Sequence, residues 1–156
     1  MAKTISKVSY SVAIGNSFRT IEDGCKAFGL KPIKYGYRYK AGASFKNATV
    51  KDKALHDVAL WFPNAQSNEW NNNSGLGVII ESPKKTSKTK AHVNKFLNTY
   101  ELRITFLKHG GDYTYVGVYE LDKQETNKMG VCVWKCVIDA FSSDLHEIKD
   151  YLNNRQ

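Results

Sequence analysis

The sequence has 156 residues, 42% hydrophobic and 24% charged, which fits one globular domain over 1–156 and excludes a disordered chain. Lys and Arg number 23 against 15 Asp and Glu, a net charge of +8 with a pI near 9.3, so the natural partner is a polyanion, nucleic acid ahead of anionic membrane. No apolar run reaches the roughly 18 residues of a membrane helix. The first residues lack the apolar stretch of a signal peptide, and three cysteines are an odd count that argues against a disulfide framework.

These features predict a cytoplasmic protein with no membrane partner and a monomer as the default state. The cationic excess is mostly Lys, which holds phosphate as a point charge and does not offer the planar fork that reads a base. A basic protein without a polyanionic partner would have the same composition.

Residues 1–14 alternate loosely through Ile5, Val8, Tyr10, Val12 and Ile14, a first strand. A short helix follows, with Thr20 as cap, Glu22 and Asp23 in its first turn, and Ile21, Cys25 and Phe28 on one face. Lys31 to Lys40 reads as a strand with Tyr35, Tyr37 and Tyr39 on one face and Lys34, Arg38 and Lys40 on the other. Aromatics interleaved with cations suit a surface that stacks bases and holds phosphates. A Tyr-rich core face backed by a solvated Lys face gives the same pattern.

Residues 41–56 read as a polar loop, Asp57 to Phe62 as a buried strand, and Ala65 to Gly75 as a long polar loop in which Trp70 stands alone among Asn residues. Trp70 is there either a lid over the core or a contact for a ligand. Leu76 to Ile80 is the next strand. Ser82 to Lys90 carries Lys84, Lys85, Lys88 and Lys90 with no acid among them, a basic loop able to lie along a phosphate backbone, or simply a solvated one. His92 and Asn94 resemble a fragment of a nuclease motif with no second ligand at useful spacing.

Tyr100 to Leu121 is the segment around which the rest is arranged. Two runs rich in aromatic and β-branched residues flank His109-Gly-Gly-Asp112, which is a hairpin, with Gly117 marking a bulge or a close approach. Asp122 to Gly130 reads as a charged turn. Val131 to Ile138 pairs back onto the hairpin, with Cys132, Trp134 and Cys136 on one face. A Cys-x3-Cys on one strand is half a zinc site, but the other half is missing, so core cysteines are the better reading and neither metal nor cofactor is expected. Ser142 or Ser143 caps a last helix with Leu145, Ile148 and Leu152 as its buried stripe.

The sum is an α+β domain: a curved, mostly antiparallel sheet closing toward a β-barrel, with a short N-terminal helix and a C-terminal helix. The stretch Thr105 to Asp122, with Tyr113-Thr-Tyr-Val-Gly-Val-Tyr119 at its centre, followed by Val133-Trp-Lys135, resembles PUA-like barrels of the SRA and EVE type. Those modules accompany modification-dependent restriction enzymes. Tyr35-Gly-Tyr-Arg-Tyr39 is similar to the glycine-centred motif of SRA domains.

The resemblance implies a non-catalytic reader, DNA ahead of RNA, that flips a modified base into an aromatic pocket as the sensor of a restriction or defence system. On that reading Tyr35, Tyr37, Trp61, Trp70, Tyr113 and Tyr115 supply stacking faces. Asp57, Asn64 and Asn68 read the base edge, and Lys34, Arg38, Lys84, Lys85, Lys88 and Lys90 hold phosphates. Two alternatives stay open: a metal-dependent nuclease, for which the acids show no recognised cluster, and a small protein-interaction module.

Overall fold

The computed structural model describes residues 16–35, 38–48 and 51–155. The first strand expected over residues 1–14 lies outside the described residues, as does Tyr37. Among the described residues the chain forms ten strands and four α-helices.

The chain enters through β1 (Ser17–Phe18) and turns into α1 (Ile21–Ala27). Thr20 caps α1 as expected, its hydroxyl accepting from the Asp23 amide at 3.0 Å. The Tyr-rich stretch is two short strands, β2 (Lys34–Tyr35) and β3 (Arg38–Tyr39), paired with each other and not one continuous strand. The 41–56 loop contains β4 (Gly42–Ser44) and two short 3-10 turns, and β5 (Val58–Trp61) follows.

The polar loop around Trp70 ends in strand β6 (Trp70–Gly75), hairpinned to β7 (Val78–Pro83). The basic stretch is helical for part of its length: a 3-10 turn at Thr86–Lys88 runs into α2 (Thr89–Leu97). The organising hairpin is β8 (Leu102–Lys108) and β9 (Tyr113–Leu121). The charged turn after it is helix α3 (Lys123–Met129), capped by Asp122 and stopped by Gly130 at φ +73°. Strand β10 (Cys132–Ile138) and α4 (His146–Asn154) complete the chain.

The strands form one mixed sheet in the order β4-β5-β8-β9-β10-β7-β6, with β1 beside β9. The sheet is mostly antiparallel, as expected, with a parallel pair, β5 and β8, where Val58 stands opposite Leu102. A parallel pair needs a long crossover, and β6, β7 and α2 supply it. The expected closure is corrected: the strand path ends at β4 and β6 without joining them, so the sheet is open, not closed into a barrel.

Period-two alternation divides the core between the two faces of the sheet. Val58, Leu60 and Phe62 with Leu102, Ile104 and Phe106 face α1 and α4, where Cys25, Phe28 and Ile148 pack onto them. Trp61, Ile79, Tyr119, Cys132 and Trp134 face the other way, against Phe96 of α2. Gly117 sits at φ +137°, and a Cβ there would lie 2.5 Å from Cys136 Sγ, so both the bulge and the close approach expected at this glycine are present.

Candidate nucleic-acid interface

On the α2 face an arginine is buried among aromatic rings. Arg103 alternates with the apolar residues of β8 and so projects away from the α1 side. Its guanidinium carbon lies 3.7 Å from the Trp134 ring centre, 4.5 Å from Trp61 and 4.7 Å from Phe96. Its Nη1 donates to Glu81 Oε1 at 3.2 Å and its Nε to Glu101 Oε2 at 2.8 Å. Trp134 Nε1 donates to the same Glu81 oxygen at 3.0 Å. Burial pushes the Glu81 carboxyl up. The Arg103 charge, with His92 and the indole donor, outweighs this and holds it below the usual carboxylate range. This centre ties β7, β8 and β10 to one another.

Toward the β6 edge the polar groups are no longer matched. His92, on α2, has a side chain only 9% exposed, and its Nε2 lies 3.3 Å from Glu81 Oε1, close enough to pair as ions. Neither ring nitrogen makes an aligned hydrogen bond. Asn72 is buried beside this group on β6, opposite Glu81 in register. Its Nδ2 donates to the Asn64 carbonyl at 3.1 Å, but its Oδ1 has no partner. An unmatched buried polar atom costs about 1–3 kcal/mol, so such atoms mark a place where water or a ligand completes the bonding.

Trp70 covers this corner, its ring 5.0 Å from His92 and edge-on to it. The loop before it is held by its own side chains: Asn64 Oδ1 accepts from Gln66 N, and Ser67 Oγ accepts from the Glu69 and Trp70 amides. The Lys84 amide donates to the Glu69 carbonyl at 2.9 Å, which seats the basic stretch beside Trp70. Lys84, Lys85, Lys88 and Lys90 are all exposed. The corner therefore combines a half-buried indole, two buried polar side chains with free valences, and a cationic rim.

Residues 8–143 match the family model of the SRA domain, the SET and RING associated domain. The chain belongs to the SRA family. No curated protein matches the sequence. The fold is similar to that of the 5-hydroxymethylcytosine-specific restriction enzyme AbaSI, with a TM-score of 0.60 and 21% identity, over 89% of this chain and 44% of that one. The SRA chain thus spans less than half the length of that enzyme. Among its described residues no helix is long and apolar enough to cross a membrane.

The SRA fold separates the residues expected to form one pocket. Trp70 and Asn64 meet at the corner just described, and the Lys84 backbone is seated beside Trp70. Trp61 and Tyr115, at 6% and 0% exposure, have their ring faces covered by the core, on opposite sides of the sheet. Tyr113 is half-buried on the α1 side, edge-on to Phe62 at 5.6 Å. Asp57 precedes β5 with His56 Nδ1 at 3.3 Å, its carbonyl accepting from Leu102 N. Asn68 is exposed in the loop before Trp70. Lys34 is exposed, its ammonium 5.3 Å from the Tyr39 ring centre, and the backbones of Tyr35 and Arg38 pair in the same small hairpin.

Asn72 and His92 escape a reading of the sequence. Asn72 is the middle of three consecutive asparagines after Trp70, and only its place in register opposite Glu81 distinguishes it. His92 carried a signal in its isolation, but the partner that explains it, Glu81, is on another element.

Two further clusters in the SRA domain look like reactive centres and are not built as such. Ser142 Oγ and Asp144 Oδ1 both approach the same nitrogen of His146, Nδ1, at 3.0 and 2.8 Å. A relay needs the acid on one nitrogen and the hydroxyl on the other. The cluster instead ties the start of α4, with Glu147 Oε1 accepting from the Ser142 amide at 2.9 Å. Donor atoms of Glu81, His92 and Cys132 gather within 4.8 Å. The Glu81 oxygen in this set already accepts from Arg103 and from the Trp134 indole, so the set is built as part of the buried ion pair.

Proposed function

We propose that this chain is a DNA-binding domain that reads a modified base as the sensor of a restriction system, with the base held at the Trp70 corner. The observation that carries the reading is the pair of buried side chains under Trp70: the Asn72 oxygen, which has no partner, and the His92 ring, which meets Glu81 without an aligned hydrogen bond. A cytosine edge offers an amino donor to the former, and a 5-hydroxymethyl group offers a hydroxyl that can donate or accept at the latter. A plain 5-methyl group offers nothing to a ring nitrogen. Membership of the SRA family and the likeness to a 5-hydroxymethylcytosine-specific enzyme support the same reading.

The base leaves the duplex stack to reach this corner, and Trp70 turns from lid to stacking face. Lys84, Lys85, Lys88 and Lys90 hold the flanking phosphates. A cytoplasmic setting belongs to the same reading.

Fluorescence anisotropy with matched duplexes carrying cytosine, 5-methylcytosine or 5-hydroxymethylcytosine tests it. Preference for the hydroxymethyl duplex is expected to persist as salt rises. Trp70→Ala should weaken that duplex by about 5- to 150-fold, the effect of about 1–3 kcal/mol of stacking. Asn72→Ala should bring the modified and unmodified duplexes closer together. Equal affinity for all three duplexes in the unmutated protein would refute the reading.

A further inference from the structure

A groove of about 680 Å³ opens between α1 and the β2–β3 hairpin. Leu30, Pro32 and the half-buried Tyr39 give it apolar walls, and Lys26, Lys31 and Lys34 stand around it. Lys26 is answered by Glu22, its i−4 neighbour, at 3.6 Å. Lys31 and Lys34 have no acidic partner among the described residues, and Lys34 is held only over the Tyr39 ring. Two free ammonium groups beside an aromatic ring are the elements of a site for a phosphate backbone with a base or sugar against the ring.

The position of the groove decides what reaches it. Helix α1 packs Cys25 and Phe28 against Leu102, Ile104 and Phe106, one face of the sheet. The Trp70 corner lies with α2 on the opposite face, where Arg103 and Trp134 project. A short duplex lying against the α2 face does not extend round the sheet to α1.

We propose that the α1 groove is a second backbone-binding site, taking a nucleic-acid segment other than the one that delivers a base to Trp70. That segment is either the far arm of the same DNA, bent round the domain, or a separate molecule; the phosphodiester chemistry is the same. The inference rests on the DNA-binding reading for its ligand and not on the Trp70 corner for its site.

The test measures binding of the full chain to modified duplexes of about 12 and about 36 base pairs over a salt series. Three proteins are compared: unmutated, the double variant Lys31→Gln/Lys34→Gln, and Trp70→Ala. Each phosphate contact contributes about 0.9 to the log–log salt slope. On the long duplex the double variant should lose about 1.8 in slope and keep the ratio of modified to unmodified binding. On a short duplex bound at one per chain its slope should not change. Trp70→Ala should do the reverse, losing the ratio and keeping the slope.

If the long duplex shows no slope change, the groove binds no backbone and the proposal falls. An equal change on a short duplex bound at one per chain also overturns it, because the groove then touches the same DNA as Trp70. A short duplex bound at two per chain, reduced to one by the double variant, supports a separate molecule; a change confined to the long duplex supports a bent one. Loss of modification preference with the length effect retained would sink the pocket reading alone.

Discussion

Arg103 is held by two carboxylates and three aromatic rings. Truncating one partner of a buried ion pair leaves the other charge unmatched, at a cost of about 3–5 kcal/mol. Arg103→Ala should therefore lower stability by about that amount in chemical denaturation, far more than loss of a surface lysine such as Lys123. Gly117 is the second position where one residue type is required. Its φ of +137° disfavours any side chain, and Cys136 Sγ occupies the space a Cβ would take. Gly117→Ala should cost about 1–3 kcal/mol. In a Cys136→Gly background the clash disappears while the dihedral strain stays, so only part of the loss should be recovered.

At the scale of elements, the start of α4 is tuned to pH. Hydrogen bonding to Asp144, then the nearby Glu147, raises His146 from its ordinary 6.5, the more distant Asp150 adding to this, while His146 and Ser142 lower Asp144 from 3.8. Burial raises Glu147 from 4.5, but its bonds to Ser142 win and bring it below that value. A raised imidazole stabilises fully below 6.5 and loses its contribution as pH climbs through the higher folded value. Depressed carboxylates stabilise above their ordinary range and lose theirs as pH falls through the lower one. The cluster is thus strongest between about pH 4.5 and 6.5. Thermal melts of the chain against His146→Gln should differ most in that window and converge above it; a constant offset at every pH would show that the imidazole charge plays no part.

Elements whose own residues carry their stabilisation were legible in the sequence: α1 from Thr20 and its apolar face, the β8–β9 hairpin from its aromatics, β10 from its alternation. β6 and α2 were not, because their local signals are asparagine and lysine. What makes them regular is the partner across the gap: Ile80 and Glu81 for β6, Arg103 and Trp134 for α2 through Phe96. The candidate corner was half legible for the same reason. Trp70 and the lysines stand out in composition, whereas Asn72 and His92 acquire meaning only from Glu81 beside them.

For the whole molecule, the sheet acts as a partition, with Lys84, Lys85, Lys88 and Lys90 exposed around the α2 side and Lys31 and Lys34 exposed at the α1 groove. Total salt dependence therefore exceeds what the Trp70 corner alone would give, and replacing Lys84, Lys85 and Lys88 by Gln should lower the slope by about 2.7 without removing it. The parallel seam between β5 and β8 has a different consequence, one that belongs to synthesis. Val58 meets Leu102 in that seam, so β5 is made about 44 residues before its central neighbour exists. At roughly 5–20 residues per second the ribosome leaves this strand waiting for about 2 to 9 seconds. All four of its residues end up buried, so during that interval Val58-Ala-Leu-Trp61 is an uncovered apolar edge. Chains released before Leu102 should aggregate, and a chaperone that shields extended apolar segments should raise the yield of the complete domain.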